Sequence, residues 1–569
     1  MYILGIGGSQ HDFSYCLLKD KKIITYIEEE RVSREKHSGG LRSALLGGIQ
    51  YCLDANGLSI DDIGIIVSNN QWGMAAFADR EYYANIMRVN HHMAHAAASY
   101  YGSGFKDSAV FVADGAGDHY SDGQSNTISL GFAIDNKITI FNSIWGQENL
   151  YTDYLGTRNE KYAYLPYDFR HKSGMDRLTL TDNSIGDFYS LITYMIGFNL
   201  LEEGKTMGLA PYGRPIYYDR IKEFITVGEK GKDIAVKIDI NGIYNQLIYI
   251  IKNNKEAYYS DILKTKADIA CTGQVILEEL VFCILNHLYE KTGCKSLSYG
   301  GGVALNSVLN GKIKQKTKFE DVFIFPAAGD SGLAYGAAIY AHYQYNNKDE
   351  MNSRFIYPFL GRAYTNVEIE QTLSRYSGVL RWSKMPADQL YEKTAKMLAE
   401  NKIIGWFTEG SEIGPRALGH RSILANPMPN EMKDILNNLV KFREPFRPFA
   451  PAVLREKVSE YFDTDFEDNP FMLYVASVKE KYAEKLGAVT HVDQTARLQT
   501  VSRDENKVFY ELISAFEKIT GIPILLNTSF NIKGQPIVET PLQAVESFLN
   551  SGIHYLVIED YFIDKINKN

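Results

Sequence analysis

The chain of 569 residues exceeds the size at which one hydrophobic core keeps growing, so two or three domains are expected. Its 60 Lys and Arg against 69 Asp and Glu give a net charge of −9, which argues against a general binder of nucleic acid or anionic membrane. Five scattered cysteines lack paired zinc-ligand spacing, no basic region precedes a signal-length apolar run, and no apolar run reaches bilayer length, so a cytoplasmic location is expected.

The first thirty residues read as strand, glycine turn and further strands, in "YILGIGG", "FSYCLL" and "IITYIEEE". The turn "GGSQHDFS" carries His11 and Asp12 directly after the first strand, where a histidine of near-neutral pKa could accept a proton. A polar turn that merely closes a hairpin is the alternative. Next, "EEERVSREKHSGG" supplies Arg31, Arg34 and Lys36. In "NHHMAHAAASYYGSGF" the spacing predicts a helix on which His91 and His95 share one face, while His92 points about 100° away. Two imidazoles on one face can share a metal, although such a pair also occurs in ordinary cores and surfaces.

The opening pattern recurs at "SAVFVADGAGDHYSDGQSNTISLGFAIDNKITIFNSI", a strand ending in a small acidic and glycine turn, then a hairpin, which suggests an internally duplicated α/β unit. Asp114 ends the first strand of that repeat. A long helix is expected over 262–292, with Gly293 as its stop. Two strand, Gly-rich turn and helix segments follow, "KSLSYGGGVALNSVLNG" with Gly301, Gly302 and Asn306, and "EDVFIFPAAGDSGLAYGAA" with Asp330. Such turns present backbone N–H groups to an anion or nucleotide, although any one of them can serve only as a tight turn. Two His and two Asp would suit Fe²⁺, Mn²⁺ or Zn²⁺ better than Ca²⁺. After Tyr345, the polar "NNKDEMNSR" is the linker candidate, which places a domain boundary near Phe355 and separates residues 1–350 from 355–569.

Beyond the linker, "GWFTEGSEIGPRALGHRS" sets Arg416 and Arg421 around glycine turns, and "NLVKFREPFRPFAPAV" adds Lys441, Arg443 and Arg447 among prolines and aromatics. Guanidinium groups bind phosphate oxygens bidentately. Basic and aromatic interleaving also fits single-stranded nucleic acid, which the interspersed Glu409, Glu412 and Glu444 disfavour. "HVDQTARLQTV" supplies Arg497, and "PILLNTSFNIKGQPIVETP" ends an apolar strand in Asn527, Thr528, Ser529 and Asn531.

Taken as an ordered set, "HHMAHAAASYYGSGF", "EEGKTMGLAPYG", "GGVALN", "EIGPRALGHRSILANP", "REPFRPFAP" and "LNTSFNIKGQPIVETP" resemble the carbamoyltransferases of the NodU, CmcH and TobZ type over essentially the whole chain. The resemblance implies an α/β protein with a duplicated actin-like N-terminal domain, of the threonylcarbamoyl-transferase kind, and a YrdC-like C-terminal domain. It implies that carbamoyl phosphate and ATP, the latter with Mg²⁺, give carbamoyl-adenylate in the second domain, and that the first domain passes the carbamoyl group to a small-molecule hydroxyl or amine. On matching positions, His91, His95, Asp114 and Asp330 would hold a divalent metal, Fe²⁺ being expected. His11 would be the base, Lys36 a charge partner of the intermediate, and Gly301, Gly302 and Asn306 its cradle. Arg416, Arg421, Lys441, Arg447 and Arg497, with Asn527, Ser529 and Asn531, would bind ATP and carbamoyl phosphate. The run "GIGGSQHD" departs locally from the family pattern and leaves the acceptor open. The rival readings are a zinc peptidase, which lacks the His-Glu-x-x-His arrangement, a tRNA threonylcarbamoyl-adenosine synthase, and a nucleotide-binding scaffold without catalysis.

Overall fold

A computed structural model describes residues 1–9, 11–39, 45–69, 86–118, 122–152, 177–230, 233–254, 262–346, 350 and 353–566. Gln10 of the first turn, and 347–349 and 351–352 of the linker candidate, lie outside the described residues. The chain forms two compact units, 1–89 with 325–569, and 90–324.

In the first unit a five-stranded sheet runs in the order Lys22–Glu28, Ser14–Lys19, Tyr2–Gly7, Ile63–Asn69, Ile86–Val89. The first three strands pair antiparallel and the last two join in parallel. The central strand is buried on both faces, as its continuous apolar run requires. The helix Leu333–Tyr345 seats directly on it. A Cβ at Gly5 would lie 2.1 Å from the Ala334 carbonyl oxygen, and one at Gly7 2.0 Å from the Ala334 nitrogen. The glycines of "YILGIGG" thus allow a helix over three hundred residues later to press against the strand backbone. Just before that helix, the hydroxyls of Ser14 and Tyr26 both donate to the Ser331 carbonyl, fixing the turn Asp330–Gly332.

The same unit contains an eight-stranded mixed sheet, ordered Leu380–Lys384, Tyr561–Lys565, Tyr555–Ile558, Ile404–Phe407, Arg421–Ala425, Ile524–Ser529, Ala450–Leu454, Gln499–Val501. The helix Lys507–Thr520 covers it through Phe509, Leu512, Ile513 and Phe516, an i, i+3, i+4, i+7 stripe. Its ends follow the sequence, with the Asn506 side chain accepting from Phe509 N and Gly521 closing the C-terminus at φ +72°. Residue 355 falls inside this unit, and the segments on either side of it are fastened by side chains. Arg31 donates to Gly414 O at 2.7 Å, Arg34 to Ile537 O and Pro536 O at 2.6 and 2.9 Å, and the Tyr51 hydroxyl to Glu539.

In the second unit a six-stranded sheet runs Asp321–Ile324, Ser296–Gly300, Asp107–Ala113, Gln124–Ile134, Lys137–Thr152, Arg177–Thr181. Leaving aside the last strand, this is the order of the first sheet again, an antiparallel three-stranded meander whose first strand continues into two parallel neighbours. The recurrence read from the sequence is therefore one strand topology used twice. The helix Ile262–Thr292 spans the range expected from its apolar spacing, and Gly293 follows at φ +65°. Among the described residues no helix is long and apolar enough to cross a membrane.

Candidate metal centre and anion site

The helix His91–Ser103 begins where Asn90 accepts a hydrogen bond from Met93 N at 3.0 Å, so His91 and His92 lie in its first turn and His95 one turn after His91. All three rings are buried. His91 Nε2 and His95 Nε2 stand 3.2 Å apart, and both face Asp114 Oδ2, at 3.1 and 3.0 Å. His92 turns away, its Nδ1 lying 2.9 Å from Ser129 Oγ. The other oxygen of Asp114 accepts from Gly115 N at 2.9 Å and from Gly302 N at 3.1 Å, which turns Oδ2 toward the imidazoles. Donors held 2.0–2.2 Å from one ion lie about 3 Å from each other when adjacent, so the spacing fits one face of a coordination shell. Two imidazole nitrogens and a carboxylate oxygen suit a divalent transition metal. Asp330 opens its short turn in the other unit and is buried there.

In the unit of 1–89 and 325–569, a π-turn Asn437–Lys441 ends on Phe442 at φ +47°, a costly conformation for an aromatic residue. It delivers the buried Lys441 Nζ to neutral oxygens, Ser529 O, Ser529 Oγ at 3.2 Å, Asn531 O at 3.1 Å and Asn531 Oδ1 at 2.8 Å. Burial pushes the Lys441 ammonium well below its usual pKa, and the charges of Arg443, Arg447 and Lys36 push it further. Burial and Arg447 bring Arg416 down to about 10. Burial and Arg447, partly offset by Glu444, bring Arg443 to about 9. Arg497 is lowered by burial, then by Arg416, Arg447 and Arg443. Arg416 Nε and Arg497 Nε are buried with no hydrogen-bond partner among the described residues. Mutually repelling cations with unpaired N–H groups are an arrangement that a polyanion would satisfy.

The loop that carries Arg416 is shaped by a buried carboxylate. Glu412 Oε1 accepts from Leu418 N, His420 N and Arg421 N at 2.8–2.9 Å. A second cluster lies after the first strand, where Asp12 takes His11 Nδ1 at 3.1 Å on one oxygen and His37 Nδ1 at 2.8 Å on the other.

The Carbamoyltransferase N-terminus family model matches residues 2–83 and 78–339, and the Carbamoyltransferase C-terminus model matches 395–565. The chain belongs to the carbamoyltransferase family. Nodulation protein NolNO of Sinorhizobium fredii is 34% identical over 98% of this chain and 79% of its own length. An uncharacterised protein of Synechocystis sp. is 31% identical over 99% of this chain and 97% of its own length. Full-length HypF in its phosphate- and nucleotide-bound form superposes on 60% of this chain and 46% of its own, with 14% identity and a TM-score of 0.40, too loose a likeness to carry fold or function.

Within this carbamoyltransferase the residues singled out by sequence divide into groups. His91, His95, Asp114 and Gly302 are brought together directly. Gly301, at φ +92°, packs so tightly that a Cβ would lie 2.2 Å from Ala113 O. Asn306 caps the turn after it and exchanges amide hydrogen bonds with Gln274. Lys36 is exposed, and its charge reaches Lys441. Arg416, Lys441, Arg447 and Arg497 are linked through their charges, with Ser529 and Asn531 on Lys441. Arg421 and Asn527 also bond to the frame. Arg421 is fully buried, stacks on Phe407 at 3.6 Å and donates from Nη1 to Thr408 O and from Nη2 to Glu409 O, while its Nε, like those of Arg416 and Arg497, has no hydrogen-bond partner among the described residues. Asn527 donates to Ala417 O and Gln499 Oε1. Sequence reasoning named Arg443 among the basic residues suited to phosphate without carrying it into the site, and left Glu412 and His37 out of it. Arg443 was signalled by its place in "KFREPFRPF" and His37 by its place beside Lys36, whereas nothing marks Glu412 among ordinary glutamates.

Proposed function

We propose that this carbamoyltransferase makes carbamoyl-adenylate from carbamoyl phosphate and ATP, and then carbamoylates a hydroxyl or amine of a small-molecule acceptor such as a sugar or natural product. The observation that carries the reading is the cation cluster with unpaired N–H groups around Lys441, which suits substrates bearing several phosphates. Hydrolysis of carbamoyl phosphate gives carbamate and phosphate, and a carbamate oxygen then attacks the α-phosphorus of ATP and expels pyrophosphate. Carbamate decomposes readily in water, so formation and capture belong in one enclosed place. Arg416, Lys441, Arg447 and Arg497 clamp the phosphates and stabilise charge as it develops, with Ser529 and Asn531 holding the Lys441 ammonium in place. Mg²⁺ accompanies ATP. The residues 355–569 are assigned this half-reaction as a YrdC-like domain, and 1–350 the transfer as an actin-like domain.

For the transfer, His91, His95 and Asp114, with Asp330 as the fourth donor expected from sequence, hold a divalent metal, proposed to be Fe²⁺. When bound, that ion supplies a Lewis acid for an oxygen of the intermediate. Lys36 offsets negative charge on the adenylate, Gly301 and Asn306 set the turn beside it, and Gly302 holds Asp114. His11 takes the acceptor's proton as the acceptor oxygen or nitrogen attacks the carbamoyl carbon and the bond to AMP breaks.

The test is to incubate the protein with carbamoyl phosphate, ATP, Mg²⁺ and a panel of hydroxyl and amine acceptors, following pyrophosphate release and product mass. Carbamoyl phosphate-dependent pyrophosphate and one acceptor gaining a carbamoyl group are expected. Absence of that pyrophosphate would overturn the reading.

A further inference from the structure

We infer that Asp12 is a positioning residue that holds His11 and His37 through their Nδ1 atoms and so presents His11 Nε2 as the proton acceptor for transfer. The role rests on the transfer reaction proposed above, which does not assign Asp12 or His37. The carboxylate bridges two imidazoles, His11 on Oδ2 at 3.1 Å and His37 on Oδ1 at 2.8 Å. An ionised carboxylate only accepts, so each ring must offer Nδ1–H, and whenever a ring so held is neutral its lone pair is on Nε2.

The frame around this bridge is built before any substrate arrives. Gly8 N donates to Asn69 Oδ1 at 3.0 Å and Gly8 O accepts from Asn69 Nδ2 at 2.9 Å, and Asn69 is buried. The two loops are laced together by Phe13 N to Ser38 O at 3.2 Å and Glu29 N to Phe13 O at 2.8 Å. His37 N donates to Glu30 Oε2 at 3.0 Å, tying its backbone to the preceding helix Glu29–Ser33. Asp12 and His37 both sit at positive φ, +54° and +55°, a region that Asp, Asn and His enter more readily than other side chains.

Asp12 itself is a poor base. Burial would raise its carboxyl, but the hydrogen bonds and charges of His11 and His37 outweigh that and hold it well below the usual range. It therefore stays anionic and orients. In the transfer step the acceptor X–H gives its proton to His11 Nε2, X bonds to the carbamoyl carbon, and the C–O bond to the AMP phosphate breaks. The resulting imidazolium is stabilised by Asp12 and later returns the proton to water.

The experiment compares the wild type with Asp12→Asn, which keeps the backbone's left-handed conformation, and with His37→Asn, which removes only one arm of the bridge. Protein labelled with ¹⁵N-histidine reports the His11 tautomer, while quenched assays report transfer from preformed carbamoyl-adenylate relative to pyrophosphate release. The wild type is expected to show His11 protonated at Nδ1. Asp12→Asn is expected to shift that signal and to lower the ratio of transfer to pyrophosphate release on the order of 10²-fold. His37→Asn is expected to lower it less. A wild-type His11 protonated at Nε2, or an unchanged ratio in Asp12→Asn, overturns the inference. So does a divalent ion bound by the wild type and lost in His37→Asn, because Asp12, Glu30 and His37 would then be its ligands. A wild type that releases no pyrophosphate refutes the proposed function instead, and the tautomer still decides the role of Asp12.

Discussion

In the helix His91–Ser103 two imidazoles face one carboxylate oxygen, whereas around Lys441 the cations face one another. The first group sets electron-pair donors of two imidazoles and a carboxylate toward one another. The second gathers Lys36, Arg416, Lys441, Arg443, Arg447 and Arg497, while the carboxylate of Glu444 approaches Arg447 only to 3.9 Å. One arrangement suits a cation and the other a polyanion. Their chemistry therefore predicts separable half-reactions, and the sharpest way to break the comparison is to damage one at a time. Arg447→Ala is expected to lower carbamoyl phosphate-dependent pyrophosphate release on the order of 10²–10³-fold, as loss of one charge-stabilising donor typically does. His95→Ala is expected to lower acceptor carbamoylation by a similar factor and pyrophosphate release far less. Equal loss of pyrophosphate in two well-folded variants would end the division of labour.

The two groups were also unequally legible in the sequence. Spacing alone put His91 and His95 on one helix face and His92 off it, because a helix has a fixed angular step. The repeated hairpin pattern marked the duplicated strand topology for a similar reason, since alternation and glycine turns are local. What stayed hidden was decided at long range. "EIGPRALGHRS" offers Arg416 and Arg421 on equal terms, and nothing in it foretells that Arg421 binds the carbonyls of Thr408 and Glu409 and stacks on the ring of Phe407. Gly5 and Gly7 read as strand and turn residues, but their reason lies at Ala334. Glu412 acts by collecting three backbone N–H groups, a role with no side-chain signature.

A smaller effect sharpens the polyanion half of the comparison through pH. Burial and neighbouring cations place the folded-state pKa of Lys441 below its unfolded value. Between the two values the unfolded chain binds the proton and the folded chain does not, so stability contributed by this group rises with pH. Below the lowered value both states are protonated and the folded state bears the full cost. In unliganded protein, thermal melts should show the wild type gaining on Lys441→Met as pH climbs toward the ordinary lysine range, by at most about 1.4 kcal/mol per pH unit. Saturating ATP, which keeps the ammonium charged, should flatten that slope. A slope that ATP leaves untouched would detach Lys441 from the anion site.

On the metal side, His91→Ala or His95→Ala should remove a ligand and lower metal content, while His92→Ala, whose Nδ1 faces Ser129 Oγ instead, should not. Metal analysis of the purified variants decides between the faces.

The mildest change tests how finely the trio is set. Gly302 is not held at positive φ, so alanine fits its backbone, but the added Cβ would lie 2.9 Å from Asp114 Oδ1 and meets nothing else that close. The carboxylate must give way by a few tenths of an ångström, and its Oδ2 faces both His91 and His95. Partners outside a coordination shell commonly contribute 10–100-fold to metal affinity. Gly302→Ala should therefore weaken metal binding by about 10-fold, read by competition with a chelator, while the melting temperature of metal-free protein stays within about 2 °C of the wild type. Unchanged affinity would mean that Asp114 reorients without loss, and that the 3.0–3.1 Å spacing to the imidazoles is not what sets the site.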